Sequence, residues 1–169
     1  MFFIRTVGPD EVMVVSGCCI KVPKTVIGGW CFVAPICHHA EILSLRVITL
    51  NVQTTHVYTK SGVAVNVTGT AQVKFKQDEE SLRKSTQQFL GMTETTVHGV
   101  ALATMEGHQR AILGTLQVEQ IYQDRHRFAE AVKEVAKPDM LEMGIEIVSY
   151  TVKDISDDEK YLDSLGRKR

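Results

Sequence analysis

All four cysteines of the chain, Cys18, Cys19, Cys31 and Cys37, fall in one stretch, VMVVSGCCIKVPKTVIGGWCFVAPICHH, which closes on His38 and His39. A thiol beside an imidazole can become a nucleophile, because the base raises the thiolate fraction. In a strand, however, neighbouring side chains point to opposite faces, so Cys37 would meet His39 and not His38. A tetrahedral metal site is the other use of such residues, and it favours paired C-x-x-C or H-x-x-x-H spacings. None is present: Cys18 and Cys19 are adjacent, and Cys31 stands alone. His98 and His108 share a helical segment but lie nearly three turns apart, and His56 and His126 are isolated.

Other chemistry is equally poorly supported. IGGW and VSGCC match neither the dinucleotide fingerprint nor the phosphate-binding loop. The acidic pairs Glu79-Glu80 and Asp157-Asp158 lie in polar helix-edge contexts, where solvated faces are the rule. The residues therefore give no catalytic group, no metal site and no cofactor, and the expectation is a protein that is not an enzyme.

What the stretch does fit is lipid. Cysteines beside a short apolar patch, without a secretory signal, are a usual setting for reversible S-acylation. Each buried methylene contributes roughly 0.8 kcal/mol, yet one chain anchors only marginally, so a second contact is needed. Phe2, Phe3, Trp30 and Phe32 could supply it as rings at headgroup depth. The longest apolar stretch, Thr25 to Cys37, is about 13 residues and contains Gly28, Gly29 and Pro35, too short and too broken for a spanning helix. Burial as a core strand pair is the competing expectation for it.

Composition bounds the rest. A chain of 169 residues with 44% hydrophobic and 23% charged residues has the make-up of one globular domain. Its formal net charge of -1 offers no field to attract nucleic acid. Clustered thiols with nothing distant to bridge argue for a reducing compartment, and Arg5, Asp10 and Glu11 interrupt any signal-like start.

The elements that must position these residues divide the chain in two. Up to about Lys74 the pattern has period two, with turn residues between runs, and VYT-KSG-VAVNV reads as a hairpin. DEESLRKSTQQFLG then reads as a short helix with an acidic first turn, ending at Gly91. A second helix begins at Thr93 as N-cap, with Val97, Val100, Ala101, Met105, Ile112 and Leu113 near one stripe. Gly99 and Gly107 each cost it about 1 kcal/mol relative to Ala, which implies close packing at those glycines. A third helical region carries Val118, Ile121, Tyr122, Phe128, Val132 and Val135 inward, with a possible break at Pro138 and an end at Gly144. IEIVSYTVKDI returns as a last strand, with Ile145, Ile147, Ser149 and Thr151 alternating against Glu146, Val148, Tyr150 and Val152. The order predicts an α+β fold: a largely antiparallel sheet with helices packed on one face. The polar tail DDEKYLDSLGRKR reads as the opening of a longer helix.

Four pieces carry a resemblance: TVGPDEVMVVSGCC, GVAVNVTGTAQVKF, FLGMTETTVHGVALATMEGHQRAILGTLQVEQIYQDRHRF, and MGIEIVSYTVKDI with DDEKYLDSLG. Together they resemble the flotillin (reggie) family and its N-terminal SPFH or band-7 domain, shared with stomatins and prohibitins. The looser band-7 frame is carried by Arg110 to Leu116, Ile121, Asp124, Arg125 and Phe128. The resemblance implies an SPFH domain over residues 1–155, followed at 156–169 by the start of a helical coiled-coil region. It implies a membrane-microdomain scaffold on the cytosolic leaflet, in cholesterol- and sphingolipid-rich regions, caveolae and endosomes, peripheral and without a transmembrane helix. Catalysis, cofactor, nucleic acid and small-molecule substrate are absent from that picture. The partners it implies are further copies of the chain and the flotillin paralogue. Other band-7 proteins imply the alternative of an adaptor or cage around a membrane protease or channel.

Carried over by residue, Phe2 stands where one flotillin type has its myristoylated glycine, so that modification is excluded. Cys18 and Cys19 match that type's acylated pair. The MFF start belongs to the other type, whose acylated cysteine follows FVLP; here Phe32-Val33-Ala34-Pro35-Ile36-Cys37 places Cys37 one residue later. Cys37, Cys18 and Cys19 are thus the S-palmitoyl candidates, and Cys31 has no counterpart.

Overall fold

The computed structural model describes residues 4–17, 20–34 and 37–157, the side chains of 20–22 excepted. Strands β1 (Ile4–Gly17), β2 (Ile20–Phe32) and β3 (His38–Ser44) form one antiparallel sheet in the order β2-β1-β3. Strands β4 (Ile48–Tyr58), β5 (Ala64–Phe75) and β6 (Ile145–Asp157) form a second antiparallel sheet in the order β4-β5-β6. Between β5 and β6 run α1 (Glu79–Phe89), α2 (Glu94–Thr115), α3 (Val118–Gln123) and α4 (Arg125–Glu142). The α+β class and the returning last strand are as expected, but the strands divide into two sheets.

The hairpin at Lys60 to Gly62 sets the second sheet, and β5 lies at its centre. Val65, Val67, Ala71, Val73 and Phe75 alternate inward along β5 and are buried. Helix α2 covers β4, and α4 covers β6. Both helices bury residues at a strict four-residue spacing, Val97, Ala101, Met105, Gln109 and Leu113 on α2 and Phe128, Val132, Ala136 and Met140 on α4. Neither stripe needs Val100, Tyr122 or Val135, which are exposed, contrary to the expected inward faces. Asp124 explains the shift on the third region: with φ -130° and ψ 73° it ends α3, and its carboxylate accepts a hydrogen bond from the N–H of Arg127 to start α4 in a new phase. Pro138 lies inside α4 without ending it.

Three further expectations are corrected. A Cβ built at Gly99 or Gly107 would meet nothing within 4 Å, so these glycines are not points of close helix packing. Register shifts along β6 break its simple alternation, so Tyr150 and Ile155 turn inward while Ser149 does not. Thr93 is the N-cap of α2, but its hydroxyl bonds the hydroxyls of Thr95 and Thr96 and caps no backbone N–H.

A polar cluster locks α2 onto the second sheet. Gln109, fully buried, donates from Nε2 to Thr54 Oγ1 at 3.0 Å and to the Val67 carbonyl at 3.1 Å, and accepts from the Tyr150 hydroxyl at 3.0 Å. Burial pushes the Tyr150 phenol well above its ordinary pKa. Below the cluster, Gly144 ends α4 at φ 71°, and a Cβ there would collide with the Ser81 carbonyl and the Ser85 hydroxyl.

Candidate membrane-facing site

The first sheet carries the residues singled out by sequence. Its middle strand reads VMVV from Val12 to Val15, and all four are buried because both faces are covered. Val12 joins the main core, while Met13 and Val15 join Val7 in a small second cluster edged by Cys31, Val33 and Ala40. Strand β2 does not share this burial. The expectation of a buried strand pair fails at this point: Trp30 is 70% exposed and Phe32 57%.

Register explains why these rings stand together. Ile4 pairs with Phe32 and Thr6 with Trp30, so all four side chains share one face, with Arg5 and Cys31 on the other. Ile4, 56% exposed, thus extends the apolar row, a residue that sequence reasoning did not pick. Its only signal was its place after MFF in a strand of alternating character. Further along, Val7 opposes Gly29 and Val12 opposes Ile27, so Gly8 to Glu11 bulge out against Gly28. Gly28 and Gly29 take φ of 56° and 120°, which side chains rarely adopt, and this fixes the bend that presents the end of β2.

The bulge is braced from the body. Arg46 Nε donates to Asp10 Oδ2 at 2.6 Å, and the Leu45 N–H donates to the Asp10 carbonyl at 2.8 Å. The Arg46 hydrogen bond lowers the Asp10 pKa, though both side chains are open to solvent.

Cys37 is exposed in the tight turn that leads into β3. The N–H groups of Cys37 and His38 both donate to the Ala34 carbonyl, and the Ala34 N–H donates back to His38 Nδ1 at 3.3 Å. Gly17 lets this turn sit against β1: a Cβ there would collide with the Cys37 carbonyl and lie 2.7 Å from His38 Cδ2. His39 Nε2 lies 3.0 Å from Glu41 Oε1. Both imidazoles are thus engaged with partners other than a thiol. Cys31 is half-buried, with its Sγ directed to the Phe32 carbonyl at 3.7 Å. Val15, Lys24, Trp30, Cys31, Phe32 and His38 line an open groove of about 430 Å³. Trp30 and Phe32 thus stand at the Ile4 end of β1 and the Cys37 turn at its Gly17 end, and His38, next to the exposed Cys37, lines the same groove as the two rings. Phe2, Phe3, Cys18 and Cys19 lie outside the described residues.

Among the described residues no group of three or more His, Cys, Asp or Glu side chains is placed to hold a metal ion. No described helix is long and apolar enough to cross a membrane.

Comparison with known proteins agrees with this architecture. Residues 5–169 match the family model described as SPFH domain / Band 7 family. Human flotillin-1 is 51% identical over the whole chain, and mouse flotillin-1 is also 51% identical over the whole chain. Drosophila melanogaster flotillin-1 is 50% identical over 97% of it. In each case the chain spans 39% of the relative's length. The chain belongs to the SPFH/band 7 family and, within it, to the flotillins, with a flotillin-1-like sequence.

Proposed function

We propose that this domain is the membrane-facing part of a peripheral scaffold of membrane microdomains. The observation that carries the reading is the joint presentation of Ile4, Trp30 and Phe32 on one exposed face, with His38, the neighbour of the exposed Cys37, lining the same groove as the two rings. Inserting the exposed parts of these three side chains at headgroup depth contributes on the order of 1–2 kcal/mol each. That sum alone is weak, and so is a single acyl chain. Combined on one surface, they give lasting attachment without a spanning helix.

Cys37 is the first acylation site in this reading, with Cys18 and Cys19 as further ones. The protein acts without catalysis or cofactor. It sits on the cytosolic leaflet of the plasma membrane, in cholesterol- and sphingolipid-rich regions including caveolae, and on endosomes. There it assembles with further copies and with the flotillin paralogue through segments beyond the SPFH domain, and so organises membrane for endocytosis, trafficking and signalling. The SPFH domain occupies residues 1–155, and 156–169 begin the following helical region.

The test is flotation of the chain expressed in animal cells. Cys37→Ser and the pair Trp30→Ser with Phe32→Ser each reduce the membrane-bound fraction, and all three together reduce it further. Unchanged flotation of the triple variant contradicts the proposal. Acyl-exchange labelling lost at Cys37→Ser locates the modification.

A further inference from the structure

We propose that a cleft between the second half of α4 and the start of β6 binds a phosphate-bearing anion through Lys76, Lys133 and Lys137. This surface takes no part in the membrane-facing site. The cleft has a volume of about 230 Å³ and is lined by Leu141 and by Ile145 and Ile147, whose burial in the core holds its shape. The three lysines line it together with a single carboxylate, that of Glu146.

The local charges do not balance. Glu146 Oε2 is 3.7 Å from Lys74 Nζ, and Lys76 is paired with Asp78, which raises the lysine's pKa. Lys133 Nζ donates to the Val148 carbonyl at 3.2 Å, a neutral acceptor that leaves its charge uncompensated. Among the described residues no carboxylate lies within ion-pair distance of Lys133 or Lys137. These two are four residues apart on α4, where like charges repel, in a chain whose net charge is -1. The lining of the cleft thus carries three ammonium groups and one carboxylate. The ligand that fits carries more than one negative charge and several acceptor oxygens, which describes a phosphate group; lysine binds phosphate as a point charge from any direction.

The test is amide NMR titration of the 169-residue chain with sodium pyrophosphate, against sodium chloride at equal ionic strength. Saturable shifts should centre on Lys76, Lys137 and Ile145 to Ile147. Affinity should fall about fivefold in Lys133→Gln and again in Lys137→Gln, one partly screened ion pair each. Lys60→Gln, at the opposite end of β5, should bind as the parent does. Phosphatidylcholine vesicles doped with phosphatidic acid separate the sources. Sedimentation that the double lysine variant abolishes and pyrophosphate displaces assigns a lipid headgroup; pyrophosphate saturation without vesicle binding assigns a soluble phosphate. Linear shifts that do not saturate, equal in the parent and in the folded double variant, overturn the proposal.

Discussion

Replacing Gln109 by Leu removes three hydrogen bonds from the interior of the domain while nearly keeping the side-chain volume. Each bond contributes about 1 kcal/mol net, and the substitution also strands buried partners. The Thr54 hydroxyl retains a long contact to the Val67 carbonyl at 3.5 Å, whereas the Tyr150 hydroxyl loses the one acceptor found for it. An orphaned buried polar group costs about 1–3 kcal/mol, and the apolar gain of leucine offsets about 1 kcal/mol, so the expected loss is about 3–5 kcal/mol. With a urea m-value near 2 kcal/mol/M, the midpoint falls by roughly 1.5–2.5 M at unchanged slope. Tyr150→Phe alone leaves Gln109 Oε1 unpaired and costs about 1–2 kcal/mol. In the double variant the orphaned hydroxyl is gone, so the two losses sum to about 1–2 kcal/mol less than additivity requires. Equilibrium urea unfolding of the parent, both single variants and the double variant completes the cycle. A loss below about 1 kcal/mol for Gln109→Leu, or strict additivity, refutes the idea that this cluster locks α2 onto the second sheet.

The same hydroxyl predicts a pH effect. Below pH 10 the phenol is neutral in folded and unfolded chains, and its bond to Gln109 contributes in full. Above pH 10 the unfolded chain ionises while the fold retains the proton, so stability falls as pH rises, and Tyr150→Phe should flatten that fall in unfolding curves taken between about pH 9 and 11. Gly144→Ala combines a positive φ with a collision at Ser81 and Ser85 and should cost more than about 2 kcal/mol, read as a lower thermal midpoint. Asp124→Ala removes the α4 cap and should cost about 1 kcal/mol, a fall of roughly 2–4 °C in melting temperature. Gly17→Ala should disturb the Cys37 turn more than the core, changing amide shifts at Cys37 to Ala40.

How far these features are legible in sequence depends on their range. The hairpin at Lys60 to Gly62, the acidic start of α1 and the stop at Gly144 rest on local chemistry, and they form where expected. The helix faces depend on phase, and one residue, Asp124, resets it, so Val135 turns outward and Ala136 and Met140 turn in. Gln109 is invisible to a hydrophobic pattern because its burial is compensated by Thr54, Val67 and Tyr150, which lie far away in the chain. The division into two sheets is also non-local: β3 pairs with β1 and β4 with β5, while residues 45–47 join them without a turn signature. For the site, residue type alone singled out Trp30, Phe32 and Cys37, all of which are exposed. That Ile4 completes the row, and that Gly17 seats the turn, follows from strand register and backbone contact, which composition does not encode.

Trp30 is the chain's only tryptophan, so its fluorescence reports on the membrane-facing site alone. The decisive measurement uses the chain purified from animal cells, bound to vesicles that contain brominated phosphatidylcholine. If the exposed end of β2 faces the bilayer, emission shifts to the blue on binding and is quenched by bromines near the headgroups. Protein that co-floats with the vesicles while Trp30 keeps its solvent-exposed, unquenched emission contradicts the account.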